Sequence, residues 1–166
     1  LSDPRTCSDT TRLAGRGAWT ERDDVAELRR GLVRTGVLRR SGQLGAAAAT
    51  AAAIELHAAA LDAPLVLAWA RFEAGLIANH RGDFVAARRD LEAAFYGAGA
   101  AAGDELAEKA AQWLLFLVGW ELGETEVGLA WGRIAEMLLA RLKVPALDRR
   151  RADLDGDTGV VLLRHG

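Results

Sequence analysis

Three aspartates alternate in "ADLDGDTG", at Asp153, Asp155 and Asp157. This is the residue type and spacing with which a loop can wrap a calcium ion. Such a loop needs glycine at its sixth position and a bidentate glutamate at its twelfth. Counted from Asp153, those positions hold Thr158 and Arg164, so the stretch is read as helix and not as a cation site. His57, His80 and His165 fall in three different apolar-periodic segments, none with a second ligand at helical spacing, whereas zinc needs three or four converging ligands. Cys7 is the single cysteine, which excludes an internal disulfide framework and a multi-thiolate zinc site. It has no histidine nearby in sequence to activate it. Asp23 and Asp24, and Glu124 and Glu126, flank expected helix starts, where negative charge meets the positive end of the helix dipole. No catalytic, cofactor-binding or metal-ligating residue is assigned, and the chain is expected to be non-enzymatic.

Composition points the same way. The 166 residues carry a formal net charge of −2, with 51% hydrophobic and 27% charged residues, a globular balance. Phosphate-driven nucleic-acid binding needs a clustered cationic excess, so no nucleic-acid partner is expected. Alanine and leucine dominate and β-branched runs are scarce, which favours helix. No signal peptide opens the chain and no apolar run approaches bilayer length, so a cytoplasmic location without a membrane segment is expected. Leu1 in place of Met, and Gly166 ending the chain within a pattern, predict a piece of a longer protein.

The elements that position everything else are read from a recurring corner. In "RGDFVAARRDLEAAF", Gly82 follows one helical pattern, Asp83 suits the cap of the next, and Phe84, Ala87, Leu91 and Ala94 continue at helical spacing. "RRSGQLGAA" repeats the corner 40 residues earlier with Gly42, Gln43, Leu44 and Ala47. "WELGETEVGLA" repeats it less cleanly at Gly123 and Glu124, and "VVLLRHG" ends on Gly166. A stride near 40 predicts a helical array. Gly75 and Gly159 each stand seven residues before such a corner. Because a mid-helix glycine costs about 1 kcal/mol relative to alanine, both are read as sites of close backbone approach. Ala47 and Ala87 would face that approach from the second helix. At the third corner, Gly119 and Ala130 match only if the connection is longer.

These signals predict an all-α superhelical solenoid of seven antiparallel helices, at about 24–41, 44–61, 65–81, 84–101, 104–122, 125–143 and 147–165. Pro64 and Pro145 mark helix starts, and Asp104 is expected to cap a helix after Gly103. Residues 1–22 form a lead-in without clear periodicity. Residues 23–166 form the array, with repeats at about 24–62, 63–103 and 104–144 and a half-repeat at 145–166.

The series Gly75, Gly82, Asp83, Phe84, Ala87, Leu91 and Ala94 resembles a tetratricopeptide repeat. The stride near 40 departs from that family's usual length of about 34 residues, which implies helices about a turn longer. The stretches "LSDPRTCSDTTRL" and "GDELAEKAAQWLLFLVGWELGETEVGLAWGRIAEMLLARL" make the chain similar to the carboxy-terminal region of large bacterial serine/threonine protein kinases, abundant in myxobacteria and related lineages. The chain itself has no glycine-rich phosphate loop, no His-Arg-Asp catalytic loop and no Asp-Phe-Gly. Kinase activity would belong to the rest of a parent protein.

The resemblance implies a concave groove that holds a peptide or a partner protein, which could include the parent's own kinase domain. The groove positions it implies are Arg29, Leu32, Arg39 and Arg40, then Trp69, Phe72, Leu76, Asn79 and His80. Trp113, Leu117, Trp120 and Glu121 follow, and then Asp153 and Arg164. The family's terminal-carboxylate clamp needs a lysine that is absent here, so no such clamp is inferred. Competing readings accompany these. Aromatics at helical spacing pack in cores more often than they line grooves. The basic run of Arg29, Arg30, Arg34, Arg39 and Arg40, like that of Arg149, Arg150 and Arg151, reads equally as a solvated helix face. The alternative function is structural self-association, through apolar surface left on a last helix without its hairpin mate.

Overall fold

The computed structural model describes residues 23–165, and all of their regular secondary structure is helical. The helices are α1 (Asp23–Arg40), α2 (Leu44–Ala60), α3 (Pro64–His80), α4 (Phe84–Ala100), α5 (Asp104–Phe116), α6 (Thr125–Arg141) and α7 (Arg149–His165), and a π-helical turn (Leu117–Glu121) extends α5. Helix limits fall within two residues of those read from the pattern. The expected lead-in at 1–22 and Cys7 lie outside the described residues. Each helix packs on its sequence neighbours, giving an all-α superhelical array. Odd-numbered helices also touch one another, α1 with α3 and α5 with α7, so they form the more tightly spaced wall. In a curved double layer that wall is the inner one. No helix among the described residues is long and apolar enough to cross a membrane.

Alternate corners, those that close each hairpin, turn on glycine, while the connections between hairpins place Asp62, Ala102 and Lys143 at φ of +49°, +54° and +56°. Gly42, Gly82 and Gly123 have φ of +77°, +75° and +74°, the left-handed region that lacks a Cβ penalty only for glycine. At the first two, the helix closes by a backbone bond five residues back, Gln43 N–H to the Leu38 carbonyl (2.9 Å) and Asp83 N–H to that of Ala78 (3.0 Å). Asp83 then caps α4 by accepting from the Ala86 N–H at 3.0 Å. Pro64 opens α3 where its missing N–H is harmless. Asp104, expected as a cap, is instead the first helical residue of α5 after Gly103, and its carboxylate pairs with Arg141 at 2.8 Å. Helix α7 starts beyond Pro145, capped by Asp148, whose Oδ1 accepts from the Arg150 N–H at 2.9 Å.

The third corner is corrected in detail. The loop is not longer. One extra residue lies inside the helix, where the Leu122 N–H reaches the Leu117 carbonyl (3.0 Å) and the Glu124 N–H reaches that of Val118 (2.9 Å). A single π-turn insertion of this kind rotates the following residues. It brings Gly119 against Gly128, with Gly119 Cα only 2.5 Å from where a Gly128 Cβ would sit. Gly128, not Ala130, is the facing residue.

Even-numbered helices bury one stripe at constant offsets from the corner glycine. The stripe is Ala47, Ala51, Ile54 and Ala58 in α2, then Ala87, Leu91, Ala94 and Ala98 in α4. In α6 it is Gly128, Gly132, Ala135 and Leu139. Small side chains there let helix axes approach, and the main core runs from α3 through α7 behind them. Gly75 performs the predicted function, since a Cβ on it would lie 2.8 Å from Leu91 Cγ and 3.2 Å from the Ala87 carbonyl oxygen. Gly159 does not, because nothing among the described residues lies within 4 Å of its Cβ position. The two glycines therefore respond oppositely to one change. Gly75→Ala is expected to lower stability by about 1–3 kcal/mol through overpacking. Gly159→Ala is expected to raise it by about 0.5–1 kcal/mol by restricting the unfolded chain. Urea midpoints of the two variants measure both.

Candidate functional site

Between α1 and α3, on the inner wall, lies a cleft of about 440 Å³. Leu32, Val33, Leu65, Val66 and Trp69 give it apolar sides, and Gly36 lies at its floor. Arg29, Arg40 and Glu73 are its charged lining residues. The helical period explains this grouping: positions 29, 33, 36 and 40 fall on one face of α1, and 66, 69 and 73 on one face of α3.

The charges in and beside the cleft differ in state. Arg39 Nε donates to Glu73 Oε2 at 2.9 Å, with both side chains about 10% exposed. That ion pair ties α1 to α3 beside the cleft, and it is the kind whose rupture strands a buried charge. Glu73 Oε1 and Arg40 Nη1 both lie against Gly36, 3.4 Å and 3.2 Å from where its Cβ would be. A side chain at 36 would push both away. Arg29 and Arg40 form no ion pair with a described residue. With Glu73 neutralised by Arg39, the cleft carries a net positive charge.

The sequence-derived positions separate into groups. Arg29, Leu32, Arg40 and Trp69 line the cleft. Phe72, Leu76 and Leu117 do not line any groove: they are 5%, 2% and 0% exposed and belong to the core, because their face of the helix turns toward the second layer. Arg39 is committed to Glu73. Trp69, Trp113 and Trp120 pack against the core while remaining partly exposed. A cation covers two of them, Lys109 Nζ at 5.2 Å from the Trp69 ring and the Arg164 guanidinium at 5.4 Å from that of Trp120. Trp69 also meets Phe72 edge to face at 5.6 Å. Asn79 is half-buried, with its Oδ1 enclosed and without a partner. His80 is exposed, and its Nδ1 donates to the Leu76 carbonyl at 2.8 Å. Glu121 is half-buried. Asp153 pairs with Arg149 at 3.4 Å. Val33, Leu65 and Val66 were missed by the sequence reading. The signal available was two valines, Val33 and Val37, exposed on an otherwise arginine-rich helix.

Further along the same wall, α5 and α7 meet through polar groups. Gln112 Nε2 donates to Asp157 Oδ2 at 2.9 Å. Asp157 thus joins a helix pair; Asp153, four residues back on nearly the same face, is paired with Arg149, and Asp155 is turned about 200° from both, so the three aspartates do not converge on a cation. Among the described residues no group of three or more His, Cys, Asp or Glu side chains could hold a metal ion. Arg150 and Arg151 are not simply solvated: Arg150 pairs with Asp148 at 3.3 Å, and Arg151 Nε donates to the Val144 carbonyl at 3.1 Å. Glu108 is 1% exposed, with both carboxylate oxygens unpartnered. Burial pushes its carboxyl above the ordinary range, Arg150 and Lys109 pull it back, and Asp148 and Glu105 add to the rise. Burial likewise raises Asp157, against the hydrogen bond from Gln112.

No protein-family model, curated protein or solved structure matches the chain.

The sign of the Glu108 effect follows from linkage. A carboxyl raised in the folded state contributes stability below its unfolded value of about 4.3 and loses that contribution as pH rises through the folded value. Glu108→Leu is therefore expected to be more stable than the native chain at pH 7 by about 1–3 kcal/mol. The gain should shrink toward pH 4. Urea melts across that range are the measurement.

Proposed function

We propose that this chain is a non-catalytic protein-interaction module of tetratricopeptide type, and that it holds a peptide or partner segment in the cleft between α1 and α3. The observation that carries this reading is the cleft itself: about 440 Å³, apolar along its sides, with charged groups gathered over Gly36. Ligand sites are of this size and character, mostly apolar with a few placed polar groups. Trp69 and the two arginines are the residue types that most often dominate interface energies. In the wider setting the module serves as the recruitment or regulatory region of a bacterial serine/threonine protein kinase, in keeping with the resemblance of its sequence. It takes no cofactor or nucleic acid and works in the cytoplasm.

A second reading rests on different surface. Leu147, Leu162 and Leu163 are 99%, 51% and 80% exposed around α7, and apolar side chains grouped at one end of an array suit self-association.

The test is selection of binding peptides from an unbiased displayed library, followed by affinity measurement. Trp69→Ala and Val33→Gln are each expected to weaken the selected peptides about tenfold. Val33 is already exposed, so its replacement leaves the core intact. Tyr96→Ala, on the outer layer, is expected to leave affinity unchanged. Equal affinity in all three variants would remove the cleft from the account.

A further inference from the structure

The cleft is apolar along its length but cationic at both ends. Arg29 and Arg40 are both on its lining and stand eleven residues apart on one face of α1. Three helical turns separate them, about 16 Å along the axis. Neither has a carboxylate partner among the described residues. Arg30 and Arg34 on α1 also lack a partner among the described residues but are not on the lining, and the other arginines nearby are already engaged. Arg39 is spent on Glu73, Arg71 on Glu55 at 3.0 Å, and Arg81 on the Leu44 carbonyl at 2.9 Å. The one acid on the lining, Glu73, is neutralised. Lys109, on α5 and outside the lining, stands over the Trp69 ring at 5.2 Å, which places a third cation near the apolar wall. Arg40 is also folded back, its Nη1 resting over Gly36 instead of reaching straight into solvent, so its guanidinium is held near the floor.

We propose that the segment this cleft takes is acidic: a short extended peptide with an apolar anchor and a carboxylate on each side of it, the carboxylates meeting Arg29 and Arg40. The proposal rests on the reading of the cleft as a peptide site and names what that site selects. The anchor lies against Leu32, Val33, Leu65 and Trp69. An extended chain advances about 3.3 Å per residue. A span of about 16 Å, shortened by the inward fold of Arg40, sets the two carboxylates about four or five residues apart. Guanidinium groups bind carboxylates by two parallel N–H···O bonds, which gives them both charge and geometric preference. A lysine-flanked peptide would meet like charge at both ends, so the same arginines reject as well as attract.

The experiment uses the full chain and three synthetic peptides that differ only in the flanking pair. The first is Gly-Ser-Glu-Ala-Leu-Phe-Ala-Glu-Ser-Gly, and the others carry Gln or Lys in place of both Glu. Affinities are measured by fluorescence anisotropy at low and at high salt. The Glu peptide is expected to bind about fivefold or more tightly than the Gln peptide at low salt, with the Lys peptide weakest. The Glu preference should shrink as salt screens the exposed pairs. Arg29→Glu combined with Arg40→Glu is expected to invert the order, so that the Lys peptide binds best. Both positions are exposed, and circular dichroism checks that the double variant keeps its helices. Val33→Gln is expected to weaken all three peptides by the same factor. Equal binding of the Glu and Gln peptides that still depends on Val33 would overturn the acidic preference while leaving the cleft as the site. Absence of binding by any of the three at about 1 mM, a free energy near −4 kcal/mol, would overturn the proposal. So would tighter binding of a ten-nucleotide oligothymidylate than of the Glu peptide.

Discussion

A helical hairpin of this sequence has apolar or small residues on more than one face, and it cannot hide them alone. That constraint governs the molecule. The stripe of Ala87, Leu91, Ala94 and Ala98 on α4 is fully buried only because α3 and α5 stand on either side of it. Gly75 and the Gly119–Gly128 contact show how closely the backbones must come for this to work. Closeness costs conformational entropy at each helical glycine, and the burial of Leu91 and its neighbours, about 1.5–3 kcal/mol for each large side chain, offsets it. The left-handed glycines at 42, 82 and 123 then repeat one corner geometry, and the repetition bends the stack into a double layer with a tighter inner wall.

The cleft follows from that arrangement. Successive inner helices are separated by an outer one, so they meet along part of their length and leave open ground along the rest. Between α1 and α3 the buried Arg39–Glu73 pair fixes the contact at one end, and Gly36 keeps side-chain volume out of the floor. Between α5 and α7 the equivalent ground is filled by Glu108, Gln112, Asp157 and Val161. On the same wall the α1–α3 interval is thus open and the α5–α7 interval closed.

Much of the fold was legible because its punctuation is chemical. Glycine at 42 and 82, Asp83 as a cap and Pro64 at a helix start each announce a boundary through backbone preferences. The π-turn at 117–121 was not legible, because an extra residue inside "WLLFLVGWE" is apolar like its neighbours and leaves no side-chain mark. Gly159 looked like Gly75 by spacing, yet spacing does not say whether a neighbouring helix is present. Counting back from the corners pointed to Arg29, Leu32, Arg40 and Trp69, four residues that line the cleft. It misplaced Phe72, Leu76 and Leu117 because adjacent positions on an apolar helix differ by only 100° of rotation, and in a chain so rich in alanine both faces are apolar. The ion pair of Arg39 with a residue 34 positions away carries no sequence signature at all.

The central claim is that stability here is shared between nearest neighbours along a stack, not pooled in one globular core. Amide hydrogen exchange resolved by residue tests it most directly, since opening free energies in such a stack depend on how many neighbours a helix has. The account predicts the slowest exchange in α4 and α5, graded loss of protection toward α1 on one side and α7 on the other, and no single opening shared by all seven helices. Uniform protection from α1 to α7, lost together in one cooperative step, would contradict it.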